Sequence, residues 1–291
     1  MVGTDGSEPA ATALSWAAEE AERRGAVLEV VHAWLPPYPV LPTDLYTDYA
    51  PMQRAAEALV NASVERLRQD LPDLVDVGTS APMGHPAPAL LCAAAGAELL
   101  VVGSRGRGGS RALMLGSVSE RCITRAPGSV AVVPEPEANI ARGRVVVGVD
   151  GSPASEEALA WAAREATLRW ARLHVVHAWM PHRGGPDASE ETSRALLEEM
   201  VDGIGEARDG GPPDLLLQSV AGPAARALVQ SAAHAELLVV GARGVGGVRG
   251  VLPSSVSLQC AHHAPCPTVV VRGAPARERV MATAARHAHE P

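Results

Sequence analysis

Two loops of this chain carry residues suited to holding an anion. The first runs through Gly103, Ser104, Arg105, Gly106, Arg107, Gly108 and Gly109, then reaches Gly116, Ser117 and Val118. The second runs through Gly241, Ala242, Arg243, Gly244, Gly246 and Gly247, then reaches Ser254, Ser255 and Val256. Glycines let a backbone approach a phosphate closely, and a serine opening a helix stands beside free N–H groups and the positive end of a dipole. Arg105 and Arg107 could add charge. The chain contains no lysine, so the pattern G-x-x-x-x-G-K-[ST] is absent, and with it one usual catalytic cation of phosphoryl transfer. A plainer reading stands beside this one. Ser117 followed by Glu120 forms a capping box that starts a helix without any ligand, and Asp5 and Asp150 can simply shape strand-to-helix turns. Co-occurrence favours the binding reading, because both the Asp turn and the Gly loop appear twice.

The elements that must position these loops are also written twice. The segment AELLVVG occupies 97–103 and 235–241, VGTDGS at 2–7 returns as VGVDGS at 147–152, and LEVVHAW at 28–34 returns as LHVVHAW at 173–179. The offset is 145 at the front (Asp5 to Asp150) and 138 at the back (Gly103 to Gly241), so the second copy lacks seven residues between Trp34 and Gly84. A period this long marks a duplicated domain rather than a solenoid. In each copy, aliphatic β-branched runs such as RVVVGVD (144–150) alternate with amphipathic stretches. Leu159, Ala162, Ala163 and Ala166 fall at helical spacing after Ser152 and Pro153 at N-cap and first-turn positions, and Leu14, Ala17, Ala18 and Ala21 repeat the stripe. Polar helices are expected at about 51–70 and 188–208, and short strands near 74–80 and 214–220. The predicted fold class is α/β, two sandwiches in tandem, each with a parallel sheet covered on both faces. The domains span 1–136 and 144–273, joined by a linker at 137–143 that continues the polar, proline-bearing stretch PEPEANIARG (134–143), with a frayed tail at 274–291. Copy one begins at Met1 where copy two has Val146, so its central first strand is shorter than its twin; either the edge is tolerated or the true start lies upstream.

Composition excludes several classes. The net charge is −8 and aromatics make up 3% with no Phe, which argues against a general nucleic-acid or anionic-membrane binder. Four cysteines in 291 residues are too few for a disulfide framework and fit a reducing cytosol. No apolar run is long enough to cross a bilayer and no leader pattern opens the chain, so the protein is expected to be soluble and cytoplasmic. Cys260, His262, His263 and Cys266 have zinc-ligand types, but Cys122 matches Cys260 in a copy without the histidines, and no metal site is expected. His32 and His177 lie in the second strand of each copy as structural histidines, and Trp16 and Trp161 read as packing anchors.

Gly103-x2-Gly106-x9-Gly116-Ser117 after a VVG strand, with VGTDGS at the N-terminus, resembles the universal stress protein family in its ATP-binding branch, of tandem actinobacterial type. The resemblance covers both copies. It implies a Rossmann-like five-stranded parallel sheet in each half and ATP, with or without Mg²⁺, as ligand. Gly3 and Asp5, with Gly148 and Asp150 as their twins, would line the adenosine side; Gly103 to Gly109 would wrap the phosphates; Gly116, Ser117 and Val118 would close the far wall. It further implies a regulator in stress, hypoxia or dormancy responses, with a protein partner of unknown identity and a pseudo-twofold pair of domains that dimerises again as a homo-oligomer. Copy two departs at Ser254, where Gly116 stands in copy one, and at Val245 for Arg107, so weaker or shifted binding is expected there. No catalytic residue is expected; a slow ATPase, an adenylating enzyme and a nucleotide-free scaffold are the alternatives.

Overall fold

The computed structural model describes residues 1–36, 48–71, 76–106, 115–135, 143–181, 189–202, 204, 214–244 and 255–272. The first half runs β1 (Val2–Gly3), α1 (Glu8–Arg24), β2 (Leu28–Val31), α2 (Ala50–Asp70), β3 (Val77–Ser80), α3 (Pro86–Ala93), β4 (Leu99–Gly103), α4 (Ser117–Arg125) and β5 (Ser129–Val133). The second runs β6 (Arg144–Val149), α5 (Pro153–Leu168), β7 (Arg172–Trp179), α6 (Glu190–Asp202), β8 (Leu215–Ala221), α7 (Ala224–Ser231), β9 (Leu237–Gly241), α8 (Ser255–His263) and β10 (Thr268–Val271). Most of the expected linker and the whole expected tail lie outside the described residues.

Each half is a parallel sheet of five strands, as expected, but the halves are not separate sheets. They join edge to edge into one ten-stranded sheet of order β3-β2-β1-β4-β5-β10-β9-β6-β7-β8. The joint is the antiparallel pair β5–β10, with Thr268 opposite Val132, Val269 opposite Ala131 and Val270 opposite Val130. Under the 138-residue offset Val130 corresponds to Thr268 and Val132 to Val270, so the pseudo-twofold axis passes through the Ala131–Val269 pair. The internal strands are largely apolar on both faces, with Glu29 in β2 and His174 and His177 in β7 as exceptions, the pattern a sheet covered twice requires. One face packs on α1, α2, α5 and α6 through residues such as Val101, Val147, Leu14 and Leu159. The other packs on α3, α4, α7 and α8 through Val102, Val146, Leu90 and Leu228. Strand β1 holds two residues and β6 six, yet β1 is central, paired to β2 and β4.

The helices that follow β1 and β6 start as the sequence reading expects. Ser7 and Ser152 are N-caps whose Oγ atoms accept from Ala10 N (3.4 Å) and Ser155 N (3.3 Å). Their ends differ. Gly25 terminates α1 at φ 59°, the left-handed conformation open to glycine. The matching residue of copy two is Trp170, at φ 52° and 94% exposed.

The two copies are also held together by a buried ionic cluster that the sequence reading did not find. Arg24 bonds Glu165, and Arg169 bonds both Glu165 and Glu20. Arg24 also reaches Glu20 (3.3 Å) and Glu98 (2.5 Å), while Arg169 Nε lies 3.1 Å from Glu236. Glu20 and Glu165, Arg24 and Arg169, and Glu98 and Glu236 are twins in the two copies. The side chains of Arg169, Glu165 and Glu20 are 1%, 2% and 4% exposed. Such charges are tolerated out of water only when paired, so the cluster fixes how the copies meet more than it stabilises them. Trp161 is buried beside it, with the Arg24 guanidinium 5.2 Å from its ring centroid. Trp161 is thus a packing anchor that also takes a cation–π contact from the other copy.

Candidate functional site

The carboxyl ends of β1 and β4 meet the amino ends of α1 and α4. This is where an open parallel sheet takes its ligands. After β1, the Oδ1 of Asp5 accepts from Ser7 N (2.9 Å) and Ser7 Oγ (2.5 Å), which fixes the N-cap of α1. Its Oδ2 faces the glycine loop, where a Cβ on Gly106 would lie 2.5 Å away. A Cβ on Gly103 would lie 3.0 Å from Pro9 O, and one on Gly3 2.7 Å from the Leu90 side chain. A side chain at any of these three glycines would therefore crowd its neighbours, displacing Leu90 at Gly3 or Asp5 at Gly106 and pressing on the Pro9 backbone at Gly103.

The loop is pinned at both ends. Ser104 N donates to Val133 O (2.8 Å), Gly116 N donates to Ser104 O (2.7 Å), and Ser119 Oγ donates to Gly103 O (2.7 Å). Residues 107–114 lie outside the described residues, so Arg107, Gly108 and Gly109 are not placed. The capping-box expectation is corrected. Gly116, not Ser117, is the N-cap of α4, at φ −79° and ψ 154°, with no side-chain cap bond, and Ser117 is the first helical residue. Glu120 instead donates its backbone N to Gly116 O (3.0 Å). The first N–H groups of α4 thus have no side-chain acceptor at the point where the loop returns. Gly116 needs no left-handed conformation, and among the described residues a Cβ there would meet nothing closer than Ser104 O at 3.5 Å. Of the four, only Gly116 has no packing reason to be glycine.

These elements enclose a cavity of about 410 Å³, lined by Gly3, Asp5, Gly103, Arg105, Gly106, Gly116, Ser117 and Val118 at its polar end. Val31, Ala33, Leu90 and Val102 form an apolar wall. His32, read from sequence as purely structural, is part of the lining; its Nδ1 lies 2.8 Å from Thr4 O. Thr4, Ala10 and Pro86 join the wall without having been foreseen. The signal for them was their position at strand ends and helix starts. Arg105 is the one arginine among the described lining residues; its Nη2 donates to Glu135 Oε2 (3.1 Å), and its Nε is buried with no acceptor among the described residues. A larger cleft of about 860 Å³ opens at the free edge strand β3, between α2 and α3. It lacks the glycine loop, and we take the smaller cavity as the site.

Copy two repeats the frame. Asp150 Oδ1 accepts from Ser152 N (3.1 Å) and Oγ (2.6 Å). A Cβ on Gly244 would lie 2.5 Å from Asp150 Oδ2, one on Gly241 2.7 Å from Ala154 O, and one on Gly148 2.7 Å from Leu228. Ala242 N donates to Val271 O (2.9 Å) as Ser104 N does to Val133 O. Ser255 and Val256 open α8, with Arg243 exposed at the loop's start. Gly246, Gly247 and Ser254 lie outside the described residues. His177 differs from its twin, its Nδ1 lying 2.8 Å from Ser193 Oγ on α6. Burial pushes its pKa down, with Asp150 offsetting part of that.

Burial pushes the thiols of Cys122, Cys260 and Cys266 up to about 12. They are protonated at neutral pH and poor nucleophiles or ligands. Among the described residues no group of three His, Cys, Asp or Glu side chains is arranged to hold a metal, and no helix is long and apolar enough to cross a membrane.

The family model of the universal stress protein family matches residues 1–134 and again 141–272. A universal stress protein of Mycobacterium tuberculosis is 35% identical over 289 residues, covering 94% of this chain and 96% of its own length. Among solved structures, a universal stress protein of Archaeoglobus fulgidus superposes with a TM-score of 0.69 at 20% identity, covering 94% of this chain and 97% of that one. A shorter universal stress protein solved in complex with cAMP is 29% identical, with a TM-score of 0.37, and covers 45% of this chain and 98% of that one.

Proposed function

The chain belongs to the universal stress protein family, and from that premise we propose that it is a nucleotide-dependent regulator that binds ATP at the carboxyl ends of β1 and β4. One observation carries the reading: the cavity between Asp5 and Gly116 has an apolar wall on one side and, on the other, a glycine loop, a helix start and a buried Arg105 Nε with no acceptor among the described residues. The wall of Val31, Ala33 and Leu90 suits a base, and the loop and the first turn of α4 suit phosphates. Gly116, free of any packing demand, fits a role in letting phosphate approach the backbone.

In this reading residues 1–136 and 144–273 are two homologous domains on a linker at 137–143, and copy two binds more weakly or in a shifted pose through Ser254 and Val245. Occupancy then alters which partner the protein engages in a stress response in the cytoplasm, and no catalytic residue is assigned.

The test is nucleotide release from the purified protein and thermal shift with ATP, ADP, AMP or cyclic AMP, with and without Mg²⁺, in the native chain and in Gly116→Ser. Serine at this N-cap leaves the unliganded fold intact, so a lost ATP shift in Gly116→Ser with an unchanged unliganded Tm supports the reading. If no adenine nucleotide is released and none raises the Tm, the reading fails. Pyrophosphate or phosphate production would turn the assignment towards an enzyme.

A further inference from the structure

Arg105 has two claims on it. Its Nη2 donates to Glu135 across 3.1 Å, with the two side chains 28% and 50% exposed, while its Nε is buried in the cavity wall with no acceptor among the described residues. Glu135 stands two residues beyond Val133, whose carbonyl anchors the loop through Ser104 N. The carboxylate holds Nη2 of the guanidinium that lines the cavity, so phosphate oxygens there would compete with it for Arg105. Copy two has no carboxylate at the equivalent position. Under the 138-residue offset Glu135 corresponds to Gly273, and its neighbour Pro134 to Arg272. Arg272 donates to Ile123 O (2.5 Å) and Thr124 O (2.9 Å) at the end of α4, and its pKa is lowered by burial and by the nearby charge of Arg243. The cation at the first loop has a carboxylate partner within the chain; among the described residues its twin Arg243 has none.

We propose that Glu135 is a specificity-determining residue of the first site, setting its preference by the number of phosphate charges on an adenine nucleotide. The inference rests on the nucleotide-binding reading above. A carboxylate that shares Arg105 opposes each added phosphate charge, so it penalises a triphosphate more than a monophosphate. The native first site therefore discriminates less steeply in favour of ATP over AMP than its loop would without Glu135. Glu135 is half exposed, so its neutral isostere leaves the fold unchanged.

The experiment is calorimetric titration of the full-length native chain, Glu135→Gln, Arg105→Gln and the double variant with ATP, ADP and AMP at low salt. Glu135→Gln is expected to tighten ATP about two- to five-fold at one site, the range for a half-exposed ion pair, with a smaller gain for ADP and the smallest for AMP. The second site provides an unchanged reference. In the Arg105→Gln background the Glu135→Gln gain shrinks. Equal changes for all three nucleotides, no change, or a gain undiminished in Arg105→Gln overturns the inference while leaving nucleotide binding standing. Absence of any heat or Tm shift in every variant removes the binding reading itself, and this inference with it.

Discussion

The Oδ2 of Asp5 sits against the Cα of Gly106, so closely that a Cβ there would lie 2.5 Å from it. Asp150 and Gly244 repeat the relation at the same distance. Because the other oxygen of Asp5 caps α1 through Ser7, a side chain at Gly106 disturbs a helix start as well as the loop. Gly106→Ala is expected to lower unliganded stability by about 1–3 kcal/mol, the usual cost of overpacking. Denaturant unfolding without nucleotide measures it. A loss of ATP binding in this variant alone would not separate ligand contact from packing, whereas Gly116→Ser does.

Removing one member of the buried cluster leaves its partners uncompensated. Glu165→Gln strips the carboxylate that both Arg24 and Arg169 bond. A destabilisation of about 3 kcal/mol is expected, the lower end of the cost of breaking a buried pair. Equilibrium unfolding in guanidinium gives the value, and a loss under 1 kcal/mol would mean that water reaches the cluster.

Trp170 adopts a conformation that its twin Gly25 occupies without strain. Its ring is exposed, so little packing is lost on truncation. Trp170→Gly should raise stability by about 1 kcal/mol, the penalty a Cβ carries in the left-handed region, read as a higher Tm.

His174 is 4% exposed, and among the described residues neither ring nitrogen reaches a partner at hydrogen-bond geometry. Burial pushes its pKa below the usual value of 6.5, Gln218 offsets part of this, and the charge of Arg144 adds to the fall. The unfolded chain therefore binds a proton that the folded chain resists. The stability due to the neutral imidazole is complete above about 6.5 and is lost as the pH drops below it. His177 and His262 are shifted in the same direction, in each case first by burial. Melting temperature should fall between about pH 7 and pH 5, above the ordinary carboxylate range, and His174→Leu should flatten part of that slope.

The duplication, the α/β class and the five-strand halves were legible in the sequence, because strand and helix periodicities are local and were written twice. So were the Asp turns and glycine loops, since left-handed turns, caps and close approaches limit which residue types fit. What needed the tertiary structure was every pairing between distant segments. The sequence marks Gly106 and Gly116 alike, yet only the fold distinguishes the glycine demanded by Asp5 from the one that packing leaves free. It offers Glu20, Glu165, Arg24 and Arg169 as ordinary surface charges on helical turns, because their burial arises only when β5 meets β10 and brings the twin helices α1 and α5 together. Glu135 reads as one charge of the proline-bearing stretch that leads into the linker until the chain's return past Val133 sets it beside Arg105. Local pattern determines which elements form; long-range contact decides which of their side chains lose water, and that loss gives a charge or a glycine its particular role.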